Sequence, residues 1–173
     1  MFRVFSGIIL FCVGASILIW LLGYFQPENY SGELQEFFAD RRPIIWQAMT
    51  DINSIPHIKN DVVNIEILED NHGLLTWKEN TKMGGYRIYQ MVEKKEPFKY
   101  TVDLVENSKG LTGTWVYFLE TSSDGSIVTI QEESKNNNIW IRGINAIRGR
   151  DVNMKHAMKV LRVSLFRRLI DSP

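Results

Sequence analysis

Few side chains in this sequence are equipped for chemistry, and their spacing limits what they can do. The single cysteine, Cys12, lies inside the most apolar stretch, so neither an internal disulfide nor a thiolate metal site can form. His57, His72 and His156 are scattered and lack the spacing of zinc ligands. No nucleophile elbow, phosphate loop or dinucleotide fingerprint occurs. No cofactor or metal is therefore expected. Carboxylates are the remaining candidates. Asp151 falls on the apolar stripe of the C-terminal segment, between Ile147 and Met154, where it would face an interior. The competing reading is that Gly149 breaks the segment and Asp151 caps the helix that follows. Glu79, Glu132 and Glu133 lie in strand patterns and read as ordinary solvated strand charges. Glu79 or Asp151 could serve as an acid–base group, but no partner for either is legible.

Aromatic and sulfur side chains suggest a different use. Alternation along a strand puts Trp77 and Glu79 on one face, Tyr89 and Met91 on one face, and Trp115 with Tyr117 and Leu119 on one face. With Met154 and Met158 of the C-terminal helix, and with Asp151, these are the candidate lining residues of a site for an apolar ligand. The alternative is that they fill a core.

The elements that must position these residues follow from periodicity. Residues 31–39 form a short strand, and Asp40-Arg41-Arg42-Pro43 opens a helix with Asp40 as its cap. Pro56 starts a second short helix. Alternation then predicts strands at Val63-Ile65-Ile67, 74–82, 86–94, Tyr100-Val102-Leu104, 111–120 and 127–134, with turns at Asp70-Asn71-His72-Gly73, Gly84-Gly85 and Ser122-Ser123-Asp124-Gly125. Ile147, Met154, Met158, Leu161, Leu165 and Leu169 recur at helical spacing, and Lys155, Lys159, Arg162 and Arg167 fall elsewhere on the wheel, so one long amphipathic helix closes the chain. The class is α+β, an antiparallel sheet of six or seven strands curved around that helix.

Residues 4–25 carry no charge and reach about 33 Å as a helix, enough to cross a bilayer. Trp20, Tyr24 and Phe25 crowd the end of this stretch, where aromatic rings suit the headgroup region. The apolar run is long for a signal peptide and lacks a small-residue cleavage site, so it reads as a transmembrane anchor ahead of a domain spanning 31–171. Arg3 before the span and Glu28, Glu33 and Glu36 after it place the domain on the non-cytoplasmic side of a single-pass protein. Globally, 20 basic and 20 acidic residues cancel. No field recruits nucleic acid, and the basic C-terminal helix lacks interleaved stacking platforms.

Four pieces, in order and spacing, resemble a known superfamily, that of START-related lipid-transfer, polyketide cyclase and birch-pollen-allergen-like domains. They are Ile45-Trp46 through Thr50-Asp51 with Pro56, Leu75-Thr76-Trp77 with Glu79, Gly113-Thr114-Trp115, and Val128-Thr129-Ile130 with Glu132-Glu133. The resemblance implies a helix-grip fold with an internal cavity for an apolar molecule. It implies no single activity, since such domains include carriers, receptors and cyclases. The expectation is a membrane-anchored domain that binds or transports a lipid or other hydrophobic ligand. A cavity enzyme of the polyketide cyclase/dehydrase type and a membrane interaction module without ligand are the alternatives.

Overall fold

The computed structural model describes residues 2–171, with side chains from 7 to 170. Arg3, on which the sidedness reading rests, has no described side chain. Helix α1, Phe2–Phe25, leads into strand β1, Asn29–Phe38. Two short helices follow, α2 (Arg42–Thr50) and α3 (Ile55–Ile58), joined by a 3-10 turn at Ile52–Ser54. Then come β2 (Val62–Asn71), β3 (Leu74–Thr81), β4 (Tyr86–Lys95), β5 (Lys99–Asn107), β6 (Leu111–Ser122) and β7 (Gly125–Asn136). Helices α4 (Ile139–Arg148) and α5 (Val152–Asp171) end the chain.

All seven strands form one antiparallel sheet in the order β1-β7-β6-β5-β4-β3-β2. Consecutive strands from β2 to β7 are joined as a meander, and β1 closes beside β7 with Leu34 opposite Ile130 and Phe38 opposite Ser126. The β2–β3 turn explains why its sequence was legible. His72 and Gly73 both have positive φ, 55° and 85°, as a tight hairpin turn demands, and Gly73 N–H donates to Asp70 Oδ1 at 2.8 Å.

The core lies between the concave face of the sheet and α5. Met154, Met158, Leu161 and Leu165 are buried on one side of α5, while Lys155, Lys159 and Arg162 are exposed on the other. From the sheet come Trp77, Met91, Tyr100, Val102, Leu104, Trp115, Leu119, Val128 and Ile130, and Ile45 and Trp46 of α2 close one end.

Three local expectations are corrected. Asp40 does not cap α2: Arg41 holds the cap position without a side-chain bond, and Pro43 in the first turn starts the helix. The closing helix is two helices, because Gly149 takes φ 100°, a conformation that ends α4. Ile147 consequently belongs to α4 and is 64% exposed, and Leu169, at the far end of α5, is also exposed. Finally, Glu79 and Glu132 are not solvated strand charges, since both are fully buried.

Candidate ligand site on the concave face

Strand pairing brings most of the aromatic candidates into contact. Trp77 stands opposite Tyr89 across β3 and β4, and their rings stack at 5.3 Å. Met91 faces Val102, Val102 faces Trp115, and Tyr100 faces Tyr117 with ring centroids 5.7 Å apart. Trp115 in turn faces Glu132, and Glu132 faces Gly32 on β1. Trp77, Glu79, Tyr89, Met91, Trp115 and Tyr117 therefore share one concave surface under Met154 and Met158 of α5. Tyr89 and Tyr117 lie in the middle of this surface and are half-buried. Burial, more than any neighbouring charge, pushes both hydroxyls well above the ordinary phenol range.

Two buried carboxylates flank the aromatic rows. Glu79 on β3 is held by charge: Lys59 Nζ lies 2.7 Å from Oε1 and Arg87 Nε lies 3.0 Å from Oε2. Arg87 also pairs with Asp61 at 2.8 Å. Partial burial would raise the Asp61 pKa, but the Arg87 guanidinium outweighs it and holds the carboxyl below its usual value. Glu132 on β7 is held by neutral groups instead. Ser134 Oγ donates to Oε1 at 2.6 Å and Asn153 Nδ2 donates to the same oxygen at 2.9 Å. Burial raises its pKa, and the bonds from Ser134 and Asn153, with the nearby Trp115 indole, offset only part of the rise. Glu132 Oε2 and Trp77 Nε1 are buried without a hydrogen-bond partner among the described residues.

Both carboxylates sit at the same end of the sheet. Glu79 pairs with Arg87 near the start of β4, Arg87 pairs with Asn107 at the end of β5, and Leu111 at the start of β6 pairs with Asn136 at the end of β7. That is also the end where α5 begins, since Asn153 reaches Glu132. A small polar cleft of about 30 Å³ opens there, lined by Tyr30, Glu132, Ser134, Arg142, Arg150 and Asn153 among others. It has room for a water, which would satisfy a lone carboxyl oxygen.

Asp151 stands apart from this surface. Its carbonyl accepts from Lys155 N–H at 3.0 Å, as a residue at a helix start does, and its carboxylate pairs with Lys155 Nζ at 2.7 Å, partly exposed. Of its two readings, the helix start describes its place. Sequence reasoning missed Lys59, Asp61 and Arg87 around Glu79, and Ser134 and Asn153 around Glu132. One signal was available for Glu132: it has the same parity as Val128 and Ile130.

No protein-family model matches the chain, and no curated protein matches it by sequence. Solved structures match its fold. Ara h 8.0201 superposes with a TM-score of 0.67 at 14% identity, over 83% of this chain and 99% of that one. This chain has the helix-grip fold. The Zhui aromatase/cyclase from Streptomyces sp. R1128 matches with a TM-score of 0.65 at 10% identity, over 83% of this chain and 97% of its own. TTHA0849 from Thermus thermophilus gives 0.65 at 9% identity, over 83% and 100%. At such identities the likeness concerns the helix-grip fold and not an activity. In each case the match spans nearly all of the other chain, so what exceeds the shared fold here is extra. In helix α1, Gly7–Phe25 has a mean hydropathy of 2.4, is only 6% buried, and is long and apolar enough to cross a membrane.

Proposed function

We propose that the protein is a membrane-anchored domain that holds a lipid or other apolar ligand between its concave sheet and α5, with α1 as the anchor. The observation that carries this reading is the position of the concave surface relative to α1. The end bearing Glu79 and Glu132 is the end at which α1 arrives: Glu28 O accepts from Asn136 N–H at 2.9 Å, and Arg142 Nε donates to Gly23 O at 3.0 Å. An apolar molecule leaving a bilayer at that point would meet that end of the concave surface first. Trp77 Nε1 and Glu132 Oε2 supply the few polar handles that orient a ligand in an otherwise apolar site. Arg3 ahead of the span orients the domain to the non-cytoplasmic side, which protease protection in sealed vesicles tests.

Native mass spectrometry of the full chain released from detergent tests the ligand. A bound lipid mass is expected. An empty protein that also fails to take up a fluorescent fatty-acyl probe overturns the reading.

Glu132 supports a second reading, a cavity enzyme. A carboxyl whose pKa is raised by burial can donate a proton to a substrate oxygen, as general acids do. Glu132→Gln keeps a polar group of the same shape as a handle but has no acidic proton: under the second reading turnover of a bound substrate is lost while uptake of the probe is kept.

A further inference from the structure

We propose that α4 lies in the bilayer, at the boundary between headgroups and acyl chains of the leaflet in which α1 ends, and so holds the ligand-facing end of the sheet against the membrane. The proposal rests on the reading of α1 as a membrane span.

Helix α4 has an apolar stripe that the described residues leave partly uncovered. Trp140 is 48% exposed, Ile144 40% and Ile147 64%, one in each successive turn. The stripe is continuous with the uncovered surface of α1. Gly23 and Gly143 let the two helices touch backbone to backbone: a Cβ on Gly23 would stand 1.8 Å from Ile139 O, and one on Gly143 would stand 2.0 Å from Ile19 O. Trp140 lines a groove together with Cys12, Val13, Ser16, Ile17 and Trp20 of α1. Whatever covers these residues of α1 also covers Trp140.

Depth follows from the contact. Gly143 meets Ile19, six residues before the end of α1 at Phe25, which at the rise of an α-helix is about 9 Å inward. Amphipathic helices that lie in a membrane surface sink roughly 5–10 Å. The polar groups of α4 are arranged as that depth requires. Asn138 Oδ1 accepts from Trp140 N–H and Ile141 N–H at 3.0 and 3.2 Å, which caps the helix start. The Arg142 side chain is 9% exposed, and its guanidinium donates to Gly23 O and to Asn136 O, both at 3.0 Å. A charge at this level is tolerated when backbone carbonyls satisfy it. Arg148 ends α4 exposed, and Arg150, two residues on, donates to Asn29 O just beyond the end of α1 at 2.6 Å. An apolar stripe beside a membrane span, capped and neutralised in this way, fits a lipid surface.

The test uses the full chain in phosphatidylcholine vesicles, with Cys12→Ser as background and one nitroxide label at a time through Ile144→Cys, Ile147→Cys, Ile17→Cys or Lys159→Cys. All four positions have exposed side chains, so the labels leave the packing intact. Collisions with oxygen, which concentrates in lipid, are compared with collisions with a water-soluble nickel chelate. The oxygen-to-nickel ratio at positions 144 and 147 is expected to match that at 17 and to exceed that at 159 severalfold. A ratio at 144 and 147 as low as at 159, with 17 still high, overturns the inference and leaves the anchor standing. Low collision rates with both reagents at 144 and 147 overturn it as well, because a protein then covers the stripe. A low ratio at 17 removes the anchor and the inference together.

Discussion

Glu79 and Glu132 are equally buried and are stabilised in opposite ways, one by charge and the other by neutral donors. Glu79 has two cations against it and resembles a buried ion pair. Glu132 has only neutral donors, so its protonated form suits the fold and its pKa is raised by burial. An acid whose folded pKa lies above its unfolded value contributes stability that is complete below the unfolded pKa and is lost as pH rises through the folded one. The contribution of Glu132 to stability should therefore fall as pH climbs above the ordinary glutamate range. Glu132→Gln keeps an oxygen for Ser134 and Asn153 and has no proton to lose. In detergent, its melting temperature is expected to exceed that of wild type at pH 8 and to converge with it at pH 4. Equal differences at both pH values would show that Glu132 is ionised in the fold at no cost. Strand parity put Trp77, Tyr89 and Trp115 on their faces, and it also held the one signal against reading Glu132 as solvated. The partners of the two carboxylates were not legible. Lys59 reaches Glu79 from the loop after α3, and Arg87 reaches it only through the β3–β4 register, which the turn at Gly84-Gly85 does not specify in the sequence.

At the scale of elements, the contact between α1 and α4 is the feature with the least sequence signal. Glycines are read first as turns or breaks, and Gly23 and Gly143 are neither: each sits inside a helix. Their role depends on a neighbour that is distant in sequence. The periodicity through Ile147 reads as part of one long terminal helix because α4 and α5 both carry apolar residues at helical spacing, and only Gly149 marks the break. A leucine at Gly143 would put its Cβ against the Ile19 carbonyl, and the helices would have to part toward the ordinary interaxial distance of about 8–10 Å. Overpacking of this kind costs about 1–3 kcal/mol. In the full chain, pulsed electron resonance between labels at positions 17 and 144 should give a short, narrow distance distribution. With Gly143→Leu the distribution should move outward and broaden, while the sheet, judged by far-ultraviolet circular dichroism, is unchanged. An unmoved distribution would mean that the helices touch elsewhere than at the glycines.

For the molecule as a whole, the α+β class and the seven-stranded sheet gripping a terminal helix were legible because alternation, turn chemistry and the α5 stripe all agree. The closure of β1 on β7 was not legible, since no periodicity says which strands far apart in sequence pair. The independence of the domain from its anchor is where the two descriptions part. Alternating strands and an amphipathic helix need no lipid to bury their apolar faces, so a chain lacking residues 1–26 would be expected to remain soluble. In the structure that deletion removes the surface that Ile139 and Gly143 pack against and leaves Trp140, Ile144 and Ile147 exposed beside it, a contiguous apolar patch of the kind that drives association. The truncated chain should keep its sheet, because the contacts between β-strands and α5 do not involve α1. It should nevertheless elute as oligomers in light-scattering chromatography without detergent, and as a monomer once micelles cover α4. Trp140→Gln, Ile144→Gln and Ile147→Gln together should restore the monomer in plain buffer. A truncated chain that is monodisperse without detergent and without these changes would show that α4 refolds against the domain when α1 is gone, and that its apolar stripe has no need of a membrane.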